Sequence, residues 1–237
     1  MAMLRPMPAV TVSQATLAEF GQQWTANGES LSRTPPLSSS QLGEQFDTAV
    51  GNALGAMLGG IPVVRPASST ALVAPQPDCV EVGATRIIGG IRPQNFDVCY
   101  RPDGVRFAFD SKTLNDRKSV AKNYQNMIND LATEAATVHT RFPYAVVGFM
   151  VIIPRPCLAD PQQTALLGTL GRLARRAYVT DDAHLAEAIA LIVWSPETGE
   201  ITRGVPPPGS RLRIEAFSQS VQAAYFARYE NLPPHTQ

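Results

Sequence analysis

The chain has 237 residues, enough for one domain with a substantial core, and its 20 Lys and Arg balance its 20 Asp and Glu. A formal charge of zero argues against a uniformly basic, nonspecific nucleic-acid binder, although it leaves room for a local basic cleft beside an acidic site. Three cysteines without a CxxC pair, no secretory leader at the start and no apolar run near the ~20 residues of a bilayer span point to a reduced, cytoplasmic protein away from the membrane.

In chain order, residues 13–25 predict a helix, and 33–40 read as a Pro/Ser linker, so 1–40 form an N-terminal helix and linker. A second helix is predicted over 41–58, capped by Ser40, with Leu42, Phe46, Val50, Ala53, Leu54 and Met57 at helical spacing. Gly51, Gly55 and Gly59 lie four apart and suit close packing. They lack the Gly-Lys-Ser/Thr ending of a phosphate loop. Residues 78–88 predict a strand in two parts, closed by Gly89-Gly90.

Next comes a predicted hairpin, Asn95-Phe96-Asp97-Val98-Cys99-Tyr100 and Val105-Arg106-Phe107-Ala108-Phe109-Asp110-Ser111-Lys112, joined by Arg101-Pro102-Asp103-Gly104. Alternate residues share a face, so Phe96, Val98, Tyr100, Val105, Phe107 and Phe109 form an apolar side, with Asp97, Ala108, Asp110 and Lys112 opposite. A four-residue loop with Pro102 early and Gly104 last sets Tyr100 against Val105, Val98 against Phe107 and Asp97 against Ala108. Asp110 is then the diagonal neighbour of Asp97, and the two carboxylates could share one metal ion.

Beyond the hairpin, a helix is predicted over 118–139, then an uncharged central strand over 145–153 ended by Pro154. Residues 155–237 form a C-terminal extension completing the same domain. Its expected elements are helices over 162–178 and 182–188, strands over 189–194 and 212–217, and a last helix ending at Glu230. Asp181-Asp182 is expected to cap the short helix, and Arg172, Arg175 and Arg176 to form a surface cluster. His139, His184 and His235 pair with no cysteine at zinc spacing.

The order helix, three strands, helix, strand over 41–154, with acids on the second and third strands and Asp110-x-Lys112 at the end of the third, resembles the PD-(D/E)xK nuclease superfamily, which includes many type II restriction endonucleases. The resemblance implies an α/β fold with a restriction-endonuclease-like core, a mixed sheet flanked by helices. It implies Mg²⁺, with Mn²⁺ as a substitute, and places metal ligands at Asp97 and Asp110 and the catalytic lysine at Lys112. Glu44 matches an extra metal-associated glutamate. The match departs at Pro93, which lies four residues before Asp97 rather than beside it.

Such a site has a physical logic. Carboxylate-held divalent cations offset charge added to a phosphodiester and activate water, while a lysine orients or helps deprotonate that water. Lys118, Lys122, Gln125 and Asn126 on the following helix are candidate DNA-backbone contacts, or an ordinary solvated face. The expected activity is Mg²⁺-dependent cleavage of double-stranded DNA by a homodimer of restriction type, with a cognate DNA methyltransferase encoded nearby. A repair or structure-specific nuclease is the alternative within the enzyme class. A structural ion pair on a solvated sheet face, or an inactive core that binds DNA or a protein, is the alternative outside it.

Overall fold

The computed structural model describes residues 3–236; residues 1, 2 and 237, which the terminal segments 1–40 and 155–237 include, lie outside it. Among the described residues, five α-helices and six strands follow one another as α1 (Gln14–Ala26), α2 (Ser39–Met57), β1 (Val63–Val64), β2 (Val80–Ile88), β3 (Pro93–Tyr100), β4 (Phe107–Thr113), α3 (Val120–His139), β5 (Val146–Pro154), α4 (Asp160–Leu173), β6 (Ala188–Trp194) and α5 (Ile214–Tyr229). The strands form one mixed sheet in the order β1-β2-β3-β4-β5-β6. β2, β3 and β4 are antiparallel, while β4, β5 and β6 run parallel. The chain is thus α/β, a six-stranded mixed sheet flanked by helices.

The burial pattern explains this order. Every residue of β5 and of β6 is buried, as the uncharged run before Pro154 requires of a strand covered on both sides. α2 starts where Ser38 and Gln41 form a reciprocal capping box, two residues before the expected Ser40 cap. Its glycines bring the helix down onto the sheet: a Cβ on Gly51 would stand 2.2 Å from Val82 Cγ2, and one on Gly55 2.9 Å from Val63 Cγ2. α2 and α5 cover the face that carries Val98, Phe107 and Phe109, with Phe217 of α5 edge-on to Phe109 at 5.8 Å. α3 covers the opposite face, where Glu134 reaches Lys112. The N-terminal segment joins the same core through Leu17, Phe20 and Trp24, whose indole N–H donates to the Asn115 carbonyl.

Three further sequence expectations are corrected. The hairpin register is Tyr100 with Phe107, Cys99 with Ala108 and Val98 with Phe109, two residues from the expected one. Arg106 is drawn out of the strand. Its guanidinium bonds Asp103 and the Pro233 carbonyl and lies 4.7 Å from the Tyr229 ring centre, so the connection lengthens while the faces keep their parity. No helix forms over 182–188; Asp181 instead accepts the N–H groups of Ala177 and Tyr178 in a turn. Residues 212–217 are not a strand, because Ile214 already begins α5.

Candidate functional site

β3 and β4 part after the pair Val98–Phe109, and Asp97 and Asp110 are the next residues on the two strands. Directly opposed rather than diagonal, they sit at a fork where ladder bonds have ended. The Asp97 carboxylate fills the fork by accepting the Ser111 N–H at 3.0 Å, with the Ser111 hydroxyl at 3.4 Å. Asp97 and Asp110 lie within hydrogen-bonding reach of one another, and Asp110 is 7 % exposed. Lys112, two residues along β4, points with Asp110 to the α3 side and pairs with it. Its ammonium also donates to Glu134 Oε1 at 2.8 Å, and Glu134 in turn accepts from Gln94 at 3.0 Å.

Two acids of this cluster were absent from the sequence reading. Asp47, on α2, is buried and borders a cavity of about 490 Å³ together with Glu44, Asp97, Asp110 and Ser111. Its Oδ1 is buried and has no hydrogen-bond partner among the described residues. Glu134, on α3, is 3 % exposed. Both were legible in principle, because each interrupts an apolar stripe: Asp47 lies one turn from Gly43 and Val50, and Glu134 falls between Leu131 and Val138. Glu44 is exposed at the cavity wall, one turn before the buried Asp47. Gly43 leaves the space through which Ser111 approaches the helix, since a Cβ there would lie 2.9 Å from its Oγ.

Burial sets the electrostatics. It pushes the Asp47 carboxyl up to about 8, with Asp97 adding to the rise. Asp97 is pushed up to about 8 by burial and then by its contact with Asp110, and burial raises Asp110 to about 6. Without a cation, the opposed pair therefore shares a proton. Burial alone would lower Lys112, but Asp110 and Glu134 outweigh it and hold the ammonium above the ordinary lysine range. Lys112 is thus held as a cation by its two carboxylate partners when no metal is bound.

The donor set suits a hard divalent cation: buried oxygens, an unpartnered Asp47 Oδ1 and two opposed carboxyls that repel unless a positive charge intervenes. Among the described residues no three His, Cys, Asp or Glu stand close enough together to hold a metal ion by themselves. Mg²⁺ needs only one or two protein carboxylates, the rest being water and phosphate oxygen.

Lys118, Lys122, Gln125 and Asn126 are all exposed on α3 or just before it, and no hydrogen bond or ion pair joins their side chains to the fork. Arg172 and Arg175 are exposed. Arg176 departs from the expected surface cluster: it is buried against Glu187 at 3.1 Å. No helix among the described residues is long and apolar enough to cross a membrane. In comparisons with protein-family models, curated proteins and solved structures, nothing matches the chain.

Proposed function

We propose that the chain is a Mg²⁺-dependent endonuclease of double-stranded DNA with a restriction-endonuclease-like core, Mn²⁺ serving as a substitute. The observation that carries this reading is the fork itself: Asp97 and Asp110 opposed at the point where β3 and β4 part, with Lys112 on the same strand and face as Asp110. The element order α2, β2, β3, β4, α3, β5 supports it.

Asp97 and Asp110 would hold the cation, with Asp47 rather than the exposed Glu44 as the helix-borne acid. When bound, Mg²⁺ supplies neutralisation of the phosphate and a more acidic water. Ser111 holds the Asp97 carboxylate at the fork through its backbone N–H. Lys112, kept protonated and aimed by two carboxylates, stabilises charge that develops on the phosphate. A homodimer would present two such sites to the two strands, and a methyltransferase gene nearby would mark a restriction role over a repair role.

The test is cleavage of plasmid and phage DNA with Mg²⁺, Mn²⁺ or EDTA. Cleavage is expected with either metal and not with EDTA, and Asp110→Asn or Lys112→Ala should each slow it by ~10²-fold or more. Undiminished cleavage by both variants would remove the assigned site.

A second reading has its own observation. Lys112 already neutralises Asp110 and Glu134, as a purely structural ion network would. A core that binds DNA or protein without cutting would show no Mg²⁺ or Mn²⁺ heat in calorimetry and no cleavage of any DNA.

A further inference from the structure

The cavity at the fork is lined unequally. Glu44, Asp47, Asp97 and Asp110 contribute carboxyl groups to its wall, whereas Arg65 is the one basic residue there. Arg65 directly follows β1 and is exposed. Among the described residues its guanidinium makes no hydrogen bond or ion pair. The buried arginines behave otherwise: Arg101 is held by Glu81, Arg106 by Asp103, and Arg176 and Arg228 by Glu187.

The backbone is arranged to carry Arg65 along this wall. β2 bulges between Val82 and Thr85, and Gly83 in the bulge adopts φ +123°. A Cβ on Gly83 would lie 3.4 Å from Pro66 Cδ and 3.8 Å from Arg65 Nη1. Glycine is required there by its positive φ, and the Arg65-Pro66 segment crosses the bulge within ordinary van der Waals distance, beside Val82, Gly83 and Ala84 of the cavity wall. Ser39 and Ser40, in the first turn of α2, also line the cavity.

Charge decides what such a cavity can take. Its acids repel an anion unless cations are present at both the floor and the rim. The buried, unpartnered Asp47 Oδ1 shows that the floor is not satisfied by its own hydrogen bonds. A free guanidinium at the rim offers paired N–H donors that match two phosphate oxygens.

We propose that Arg65 is the phosphate-binding residue of this cavity, clamping a backbone phosphate of a nucleic acid strand whose neighbouring phosphate lies over Asp97 and Asp110. The proposal rests on the nuclease reading of the same site and adds the residue and side from which the strand is held. It also makes β1 and the β2 bulge, rather than the α3 lysines, the substrate-facing edge.

The experiment measures binding of fluorescent single- and double-stranded oligonucleotides to the full chain by anisotropy with Ca²⁺, a hard divalent cation, in place of Mg²⁺ at the floor, across a salt series. Arg65→Ala should weaken binding about tenfold and reduce the slope of log affinity against log salt by roughly 0.7 to 0.9, the loss of one phosphate contact. Arg65→Lys should restore the slope with only part of the affinity, and melting temperature should stay the same in both variants. Lys122→Ala serves as the comparison and should leave the salt slope as in the parent chain. Wild-type affinity and slope in Arg65→Ala would overturn the proposal, as would the absence of any binding by the parent chain. Arg65-dependent binding with no cleavage in Mg²⁺ or Mn²⁺ would support the clamp while sinking the nuclease reading. Cleavage with unchanged kcat/KM and binding in Arg65→Ala would do the reverse.

Discussion

At the scale of single residues, Asp47 and Glu134 show how a buried acid is kept. Glu134 has Lys112 and Gln94 as partners, so Glu134→Ala would leave Lys112 with Asp110 alone. That change should cost about 2–4 kcal/mol, less than a fully enclosed pair because Lys112 keeps some exposure. Urea midpoints check it, and a loss under 0.5 kcal/mol would mean that the network contributes little. Asp47 is the opposite case, since burial and nearby acids oppose its charge. Asp47→Asn should therefore raise stability in EDTA by about 1 kcal/mol, roughly 2–4 °C in Tm for a chain of this size. It should also shrink the upward Tm shift produced by Mg²⁺, which follows binding to the folded state. A lower Tm in EDTA, or an undiminished Mg²⁺ shift, would show that Asp47 serves packing rather than the cation.

At the scale of elements, α2 approaches the sheet where its side chains are missing. Gly51 lets α2 settle on Val82, and its replacement by alanine should overpack the interface by about 1–3 kcal/mol. Gly171 near the end of α4 has no neighbour within 4 Å of an added Cβ, so Gly171→Ala should instead stabilise by about 0.5–1 kcal/mol. Thermal denaturation of the two variants measured together checks the sign of each. The hairpin teaches a related lesson about distant partners. Its faces follow from alternation alone, but its register depends on Arg106, which is held by Asp103, Pro233 and Tyr229. A local turn rule has no access to a carbonyl 127 residues away in sequence.

At the scale of the whole molecule, one buried cluster ties β5, α3, α5 and the segment before β6 together. Glu187 accepts the Val147 N–H at 2.8 Å and faces His139 at 3.3 Å, Arg176 at 3.1 Å and Arg228 at 2.8 Å. Burial would raise its carboxyl, but His139, Arg228 and the Val147 N–H outweigh burial and hold it below the ordinary glutamate range. A depressed carboxyl contributes stability that is complete above the unfolded value of about 4.3 and is lost as pH falls through the folded value. Glu187→Gln should therefore lose about 3–5 kcal/mol at pH 7, since two arginines are left buried without their anion. It should also lose less further stability between pH 5 and 3 than the parent chain. Parallel pH profiles for the two proteins would show that Glu187 does not govern the acid limb.

The sequence by itself determined the α/β class, the order of elements from β2 through β5, and the shared face of Asp97, Asp110 and Lys112. These depend on local periodicity, which burial on one face or both imposes on neighbouring residues. Tertiary structure alone decided the direct opposition of Asp97 and Asp110, the pinning of Lys112 by Glu134, and the placing of Asp47 and Arg65 on one cavity. It also decided that residues 212–217 enter a helix and that Arg176 is buried. Each of these rests on partners far apart in the chain, and the desolvation that raises or lowers a charge exists only once those partners have closed over it.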